Sequence, residues 1–381
     1  MLNFFKKSKN SAKDLFTNEK KAGRPKFHSL KVSDIRRETA DCVSVAFYVP
    51  AELSEEYRFS PGQYLTLETE IAGEKVRRSY SLCSSPFDGE LRVAIKQVEG
   101  GKFSTWANSD LTVGSEMQVM SPDGKFTAKI DGTQKHNYVA FAAGSGITPI
   151  YSILKSVLEE EPNSSFTLFY GNKTSKSVIF KEQIEALKNT YMNRLEVHHV
   201  LSREDQGSDL LKGRIDALKC SDFSERFFDI KEVSGYFLCG PEAMINGVSA
   251  KLQDLGAEKS TIHFELFTSP TDALAGKTKV EKKSTGSKVD SKLTVILDGD
   301  ETHFDLNADG DSVLDAALDA GADVPYACKG AVCCTCRAKV LEGEVEMDMN
   351  YALEDDEVAD GYVLTCQSHP RSEKVVISFD D

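Results

Sequence analysis

The stretch CKGAVCCTC, residues 328–336, places four cysteines within nine positions of a 381-residue chain. Three of them, Cys328, Cys333 and Cys336, stand as C-x4-C-x2-C, and 29 residues separate Cys336 from Cys366. Three thiolates on one tight loop and a fourth from a distant segment can close on a small inorganic core, and this is the spacing that holds a [2Fe–2S] cluster. Gly330, Ala331 and Thr335 are small, which leaves room for backbone N–H groups to approach the sulfurs. Zinc is the alternative ion, although its usual signature is a pair of C-x2-C knuckles. Cys334, wedged between two expected ligands, is expected to point away from the metal. Nine cysteines is an odd number, and the five near the C-terminus suit a metal site in a reducing compartment better than a disulfide framework. The cytoplasm is therefore the expected location. Cys42, Cys83 and Cys220 lack ligand spacing and are expected to be small buried residues.

Charge sets the limits of the segment that carries this loop. From Lys292 onward there are 21 acidic and 6 basic residues, a net of −15. The whole chain carries −14, so residues 1–291 sum to about +1. Immediately upstream, TSPTDALAGKTKVEKKSTGSKVDS (268–291) is rich in Ser, Thr, Lys and Gly and contains no aromatic residue. Such a segment cannot bury enough apolar surface to fold and reads as a flexible linker, with ends on the order of 27 Å apart as a random coil. Residues 1–26 hold seven lysines and one arginine without the apolar stretch of a secretory signal, and read as a basic tail. No run approaches the roughly 18 apolar residues of a membrane span, so a soluble protein is expected. The acidic balance and the absence of aromatics from the lysine-rich linker speak against nucleic-acid binding.

Between the tail and the linker two patterns alternate. Residues 27–132 carry short runs such as SVAFYV, YLTLET and LRVAIKQV, broken by turn signals such as SPGQ and SPDGK. They predict an antiparallel β-barrel. Residues 133–267 interleave apolar runs (YVAFAA, SFTLFYG, LEVHHVL, GYFLCG) with helical patterns at 149–158, 180–188 and 241–255, which predicts an α/β domain on a parallel sheet. Residues 292–381 open with a hairpin turning at Asp298-Gly299, followed by a helix around Ser312–Ala320 and then the cysteine loop. The expectation is a multidomain chain: barrel, α/β domain, linker, and a β-grasp domain of ferredoxin type.

Three further motifs fall in the first two domains. RSYS (78–81) is preceded by PGQYL (61–65) and followed by GGKFST (100–105), AAGSGITPI (142–150) joins a predicted strand to a helix, and YFLCGPEAM spans 236–244. With these the chain resembles the ferredoxin–NADP reductase superfamily. The resemblance implies that Arg78 neutralises an FAD pyrophosphate, Tyr80 lies against the isoalloxazine and Ser81 donates near the flavin N5. A guanidinium, an aromatic face and a hydroxyl suit those tasks. Gly100, Gly101 and Ser104 would let backbone approach the FAD phosphates. Gly144, Gly146 and Thr148 would receive the nicotinamide nucleotide's pyrophosphate at a helix N-terminus. Cys239, with Gly240 and Pro241, would lie beside the nicotinamide, and Glu265 in HFELF (263–267) would shape the same place. Cys239, Ser81 and Glu265 are thus the catalytic candidates. A buried structural Arg and Tyr, a plain glycine turn and a surface carboxylate are the plainer readings of the same residues.

The order barrel, nucleotide domain, ferredoxin resembles the reductase components of bacterial oxygenases over residues 27–381. Long stretches such as FHSLKVSDIRRETADCVSVAF and NYALEDDEVADGYVLTCQSHP resemble the reductase subunits of phenylacetyl-CoA epoxidases in particular. The resemblance implies transfer of electrons from NADPH through FAD and a [2Fe–2S] cluster to a di-iron oxygenase acting on phenylacetyl-CoA, in phenylacetate catabolism. A Rieske-type or other multicomponent oxygenase is the alternative acceptor. The resemblance to the superfamily also implies that Ser202 and Arg203, a Ser-Arg pair at the end of LEVHHVLS, favour the 2′-phosphate of NADPH, whereas Glu204 and Asp205 would suit the free ribose hydroxyl of NADH.

Overall fold

The computed structural model describes residues 26–267 and 290–380. The tail up to residue 25 and the linker from 268 to 289 lie outside them. The chain divides into two compact units, residues 1–265 and 266–381.

The first unit begins with β1 (Phe27–Thr39), β2 (Cys42–Tyr48), β3 (Tyr64–Ile71), β4 (Glu74–Ser81), β5 (Leu91–Lys96) and β6 (Glu116–Met120), with helix α1 (Lys102–Ser109) between the last two strands. The six strands form an antiparallel sheet in the order β4-β3-β6-β1-β2-β5. The sheet curls until its edges meet: Leu82 bridges Val93, and Cys83 N donates to Arg92 O at 2.8 Å. Alternating residues such as Leu65, Leu67, Val93 and Ile95 fill the interior at full burial. That alternation is the period-two pattern read from the sequence.

The same unit continues with β7 (Asn137–Ala143), α2 (Ile147–Glu160), β8 (Ser165–Asn172), α3 (Lys181–Thr190), β9 (Leu195–Leu201), α4 (Ala217–Arg226), β10 (Gly235–Gly240), α5 (Glu242–Asp254) and β11 (Ile262–Leu266). Its sheet has the order β11-β10-β7-β8-β9, with β10, β7, β8 and β9 parallel. Strand order therefore reverses between β7 and β10, the position at which open α/β sheets bind ligands. Helix α2 buries Ile147, Ile150, Ile153, Leu154, Val157 and Leu158, each worth about 1.5–3 kcal/mol of apolar transfer. The sequence pattern did not reveal α4, since Leu218 is exposed and only Cys220 and Phe223 are buried along it. Too few apolar positions repeat there to mark a helical face.

Barrel and sheet are locked together. Ser152 Oγ of α2 donates to Ser84 O at 2.6 Å, Ser156 Oγ to Ser85 Oγ at 3.2 Å, and Lys155 pairs with Asp88. Gly62, at φ +100°, lies so close that a Cβ there would sit 2.0 Å from Phe126 O.

The second unit contains β12 (Asp290–Leu297), β13 (Asp300–Asn307), β14 (Arg337–Glu342), β15 (Val345–Met347), β16 (Tyr362–Leu364), β17 (Ser368–Pro370) and β18 (Lys374–Ser378). Strand β12 starts at Asp290, so it takes in the last two residues of the expected linker, 290 and 291. The five-stranded sheet runs β13-β12-β18-β14-β16, with β12 parallel to β18, and β15 pairs with β17. Asp298 and Gly299 have φ of +55° and +81°, the doubly left-handed turn that an Asp-Gly hairpin requires. The helix Val313–Asp319 is capped by Ser312, whose hydroxyl accepts from Asp315 N.

Candidate functional site

The nucleotide edge is built where the parallel strands end. β7 stops at Ala143, a single turn covers Gly144–Gly146, and α2 starts at Ile147. The two glycines serve different purposes. Gly144 adopts φ +55° with open space where a Cβ would project, so its backbone can be approached from outside. Gly146 faces inward: a Cβ there would lie 2.1 Å from the carbonyl oxygen of Cys239. The close pairing of β7 with β10, Ala142 opposite Cys239, thus demands the second glycine. Tyr170 Oη donates to Gly144 O at 3.0 Å and props the turn from below. Thr148 is buried, with Oγ1 donating to Ser145 O at 3.0 Å. Gly240 packs against Ala143 and Met244, and Pro241 is the N-cap of α5.

Ser81, Cys239 and Glu265 come from three distant parts of the chain. Ser81 Oγ donates to Glu265 Oε2 at 3.0 Å. Cys239 is fully buried, and its thiol is pushed well above the ordinary range by burial and then by the Glu265 charge. The thiol is therefore neutral and not a nucleophile.

Along the barrel strand, Arg78 is half-buried, with Nη1 donating to Arg77 O at 2.7 Å. Tyr80 is half-buried against the barrel core and lies 5.5 Å from Phe103 between ring centroids. Gly100 has φ +72° with open space beside it, and Gly101 is the N-cap of α1 without a capping side chain. Ser104 is buried; its Oγ accepts from Val98 N at 3.0 Å, so it shapes the turn. An uncapped helix start next to an Arg and a half-open aromatic face fits a dinucleotide with a planar ring.

In the second unit the four thiols form two pairs. Cys333 Sγ donates to Cys328 Sγ at 3.1 Å, and Cys336 is hydrogen-bonded to Cys366. Hydrogen bonding within each pair lowers Cys328 and Cys366 and raises Cys333 and Cys336. Two adjacent sulfur pairs fit two irons with two thiolates each, and do not make the single convergence that one zinc ion requires. Lys329 and Ala331 take φ of +51° and +62°, left-handed conformations uncommon outside glycine, which bend the loop around this spot. Gly330 N donates to Cys328 Sγ at 3.3 Å. Cys334 Sγ donates instead to Ala352 O at 3.2 Å, so it turns away as expected.

Ser202 and Arg203 are exposed in the loop after β9. Glu204 Oε2 accepts from Ser175 N at 2.7 Å, and Asp205 Oδ2 pairs with Lys212 at 2.7 Å. The motifs gave no sign of Ser175 or Tyr170 as partners, because each contact joins segments more than 20 residues apart in the chain.

A flavin-type barrel, a nucleotide-binding sheet and a [2Fe–2S] loop in one chain define an NAD(P)H-dependent flavin and iron–sulfur oxidoreductase. Comparison with known proteins gives the same three parts. Residues 29–128 match the oxidoreductase FAD-binding domain, 141–250 the oxidoreductase NAD-binding domain and 295–371 the 2Fe-2S iron-sulfur cluster binding domain. The chain is 46% identical to one of the subunits of the 1,2-phenylacetyl-CoA epoxidase of Escherichia coli (strain K12), covering 93% of this chain and 98% of that one. It is 35% identical to the ferredoxin reductase component of 3-ketosteroid-9-alpha-monooxygenase from Rhodococcus rhodochrous, over 92% and 96% of the two chains. Phthalate dioxygenase reductase shares the fold, with a TM-score of 0.58 at 23% identity over 93% of this chain and 98% of that chain. The chain belongs to this family of oxygenase reductases, which pair a ferredoxin–NADP reductase-type flavoprotein with a C-terminal [2Fe–2S] domain and include the phenylacetyl-CoA epoxidase component. Among the described residues, no helix is long and apolar enough to cross a membrane.

Proposed function

We propose that the chain carries electrons from NADPH to a di-iron oxygenase acting on phenylacetyl-CoA, in the cytoplasm. The observation that carries the redox reading is the meeting of Ser81, Cys239 and Glu265 at the reversal of strand order. FAD, when bound, accepts a hydride and releases its electrons singly, and the [2Fe–2S] cluster passes them on. The chain's residues hold and orient these groups. Arg78 neutralises the FAD pyrophosphate together with the uncapped start of α1 at Gly100 and Gly101, and Tyr80 packs on the flavin ring. Ser81 presents a hydroxyl to the ring edge, oriented by Glu265. Gly144, Gly146, Gly240 and Pro241 admit the nicotinamide nucleotide to the strand ends, and buried Cys239 forms a neutral wall behind it. Cys328 with Cys333 and Cys336 with Cys366 hold the two irons.

NADPH is supported over NADH by the engagement of both nearby carboxylates, Glu204 with Ser175 and Asp205 with Lys212. Both carboxylates are thus already partnered within the protein, while Ser202 and Arg203 stay exposed. The acceptor is supported by the relative at 46% identity. A different oxygenase is the second reading, since the relative at 35% serves a ketosteroid monooxygenase. The test reconstitutes the loaded protein with the oxygenase subunits of a phenylacetyl-CoA epoxidase and follows NADPH-dependent product formation. Vigorous reduction of an artificial acceptor with no phenylacetyl-CoA turnover would overturn the choice of partner.

A further inference from the structure

We propose that Glu204 is a positioning residue for recognition of the nucleotide's 2′-phosphate. It holds the Thr174–Ser177 turn against the loop after β9, so that Lys176 joins Ser202 and Arg203 around one dianionic phosphomonoester. The inference rests on the NADPH reading above and adds a second wall to that site.

Strands β8 and β9 end side by side, with Asn172 opposite Leu201. The two loops that leave them stay joined: Ser202 N donates to Asn172 O at 2.9 Å and Arg203 N to Lys173 O at 2.8 Å. Glu204 completes the joint, accepting from both the backbone N–H and the hydroxyl of Ser175. These bonds, with Lys181 and Lys176 nearby, hold its carboxyl below the usual range, so it is charged at neutral pH. The turn it grips is closed on itself, Ser177 Oγ donating to Thr174 O at 2.7 Å and Thr174 N to Ser177 Oγ at 3.0 Å. A fixed turn presents Lys176 at a fixed place. Lys173, Lys176 and Arg203 are all exposed, and no ion pair engages them among the described residues.

Asn172 stands at the joint of the two loops. It is only 9% exposed, and its Nδ2 lies beside the Tyr170 hydroxyl without a hydrogen bond of adequate geometry. That hydroxyl already donates to Gly144 O in the nucleotide turn. Lys173, Lys176 and Arg203, exposed on the two joined loops, suit a group rich in acceptor oxygens. A carboxylate placed there would ordinarily repel a phosphate or select a ribose hydroxyl. Its bonds to Ser175 turn the Glu204 charge toward the turn.

The test is steady-state kinetics of the holoenzyme with NADPH and with NADH, together with competitive inhibition by 2′-AMP. Glu204→Ala and Lys176→Ala should each raise KM for NADPH and Ki for 2′-AMP by about tenfold, the loss of one charge-assisted contact, with kcat and NADH kinetics unchanged. Glu204→Gln, which keeps an acceptor for the Ser175 N–H, should stay near the parent. Tighter NADPH binding in Glu204→Ala, a loss confined to NADH, silence in both Ala variants, or a loss in Glu204→Gln as large as in Glu204→Ala would each overturn the proposal. Arg203→Ala separates it from the reading beneath: no change in NADPH or 2′-AMP binding there would bring down the NADPH assignment. A normal Arg203 effect with silent Glu204 and Lys176 would bring down this inference alone.

Discussion

The same side chain meets two fates in the two units. In the first, Cys42, Cys83, Cys220 and Cys239 are each buried, and burial pushes every thiol up, Cys42 and Cys220 to about 12. In the second, four cysteines stand in pairs, and the hydrogen bond within each pair lowers one of its members. A thiol alone in an apolar setting is an inert small residue, whereas a neighbouring thiol makes it a ligand. Local convergence decides the chemistry, and cysteine number does not.

The largest expected effect breaks the paired set. Cys336→Ser should abolish cluster iron and oxygenase turnover while NADPH still reduces the flavin, as followed by iron analysis alongside ferricyanide reduction. Retention of the full iron content would contradict the pairing of Cys336 with Cys366. Next, Ser81→Ala removes the donor to Glu265 and should slow flavin reduction by NADPH at least tenfold, about 1.4 kcal/mol. Stopped-flow absorbance would measure it, and an unchanged rate would remove Ser81 from the hydride site.

On the unpaired side of the comparison, Cys42→Ser should leave iron and flavin content untouched. A hydroxyl in place of a buried thiol should cost about 1–3 kcal/mol in the unfolding of the first unit. Iron loss in this variant would erase the distinction between the two sets. The smallest effect concerns pH. Burial lowers the pKa of His198 and of His199 on β9. The folded state thus favours the neutral imidazoles, and the unfolded chain binds more protons below its ordinary value of about 6.5. Their contribution is complete above that pH and is lost as pH falls through the folded values. Urea midpoints for the first unit should therefore drop between neutral and mildly acidic pH, less so in His198→Phe.

Much of the site was legible because its motifs are short and chemically demanding. The C-x4-C-x2-C loop, Arg78-Ser79-Tyr80-Ser81 and the Gly144-Ser145-Gly146 turn each act within a few residues, and helices α2 and α5 repeat their apolar positions clearly. Helix α4 was not legible, since its single strong buried aromatic, Phe223, sets no period. The contact of Glu204 was not legible either, because its partner Ser175 lies 29 residues away on another loop.

Sequence alone determined the presence of the metal loop, the two nucleotide-binding motifs and the order of the parts, because each rests on residue type at close spacing. Tertiary structure decided which sulfurs pair, that Ser81 meets Glu265 across 184 residues, and that Gly146 is required by the carbonyl of Cys239. Those facts depend on strands packing side by side, and contacts set by packing leave no periodic mark on the chain that makes them.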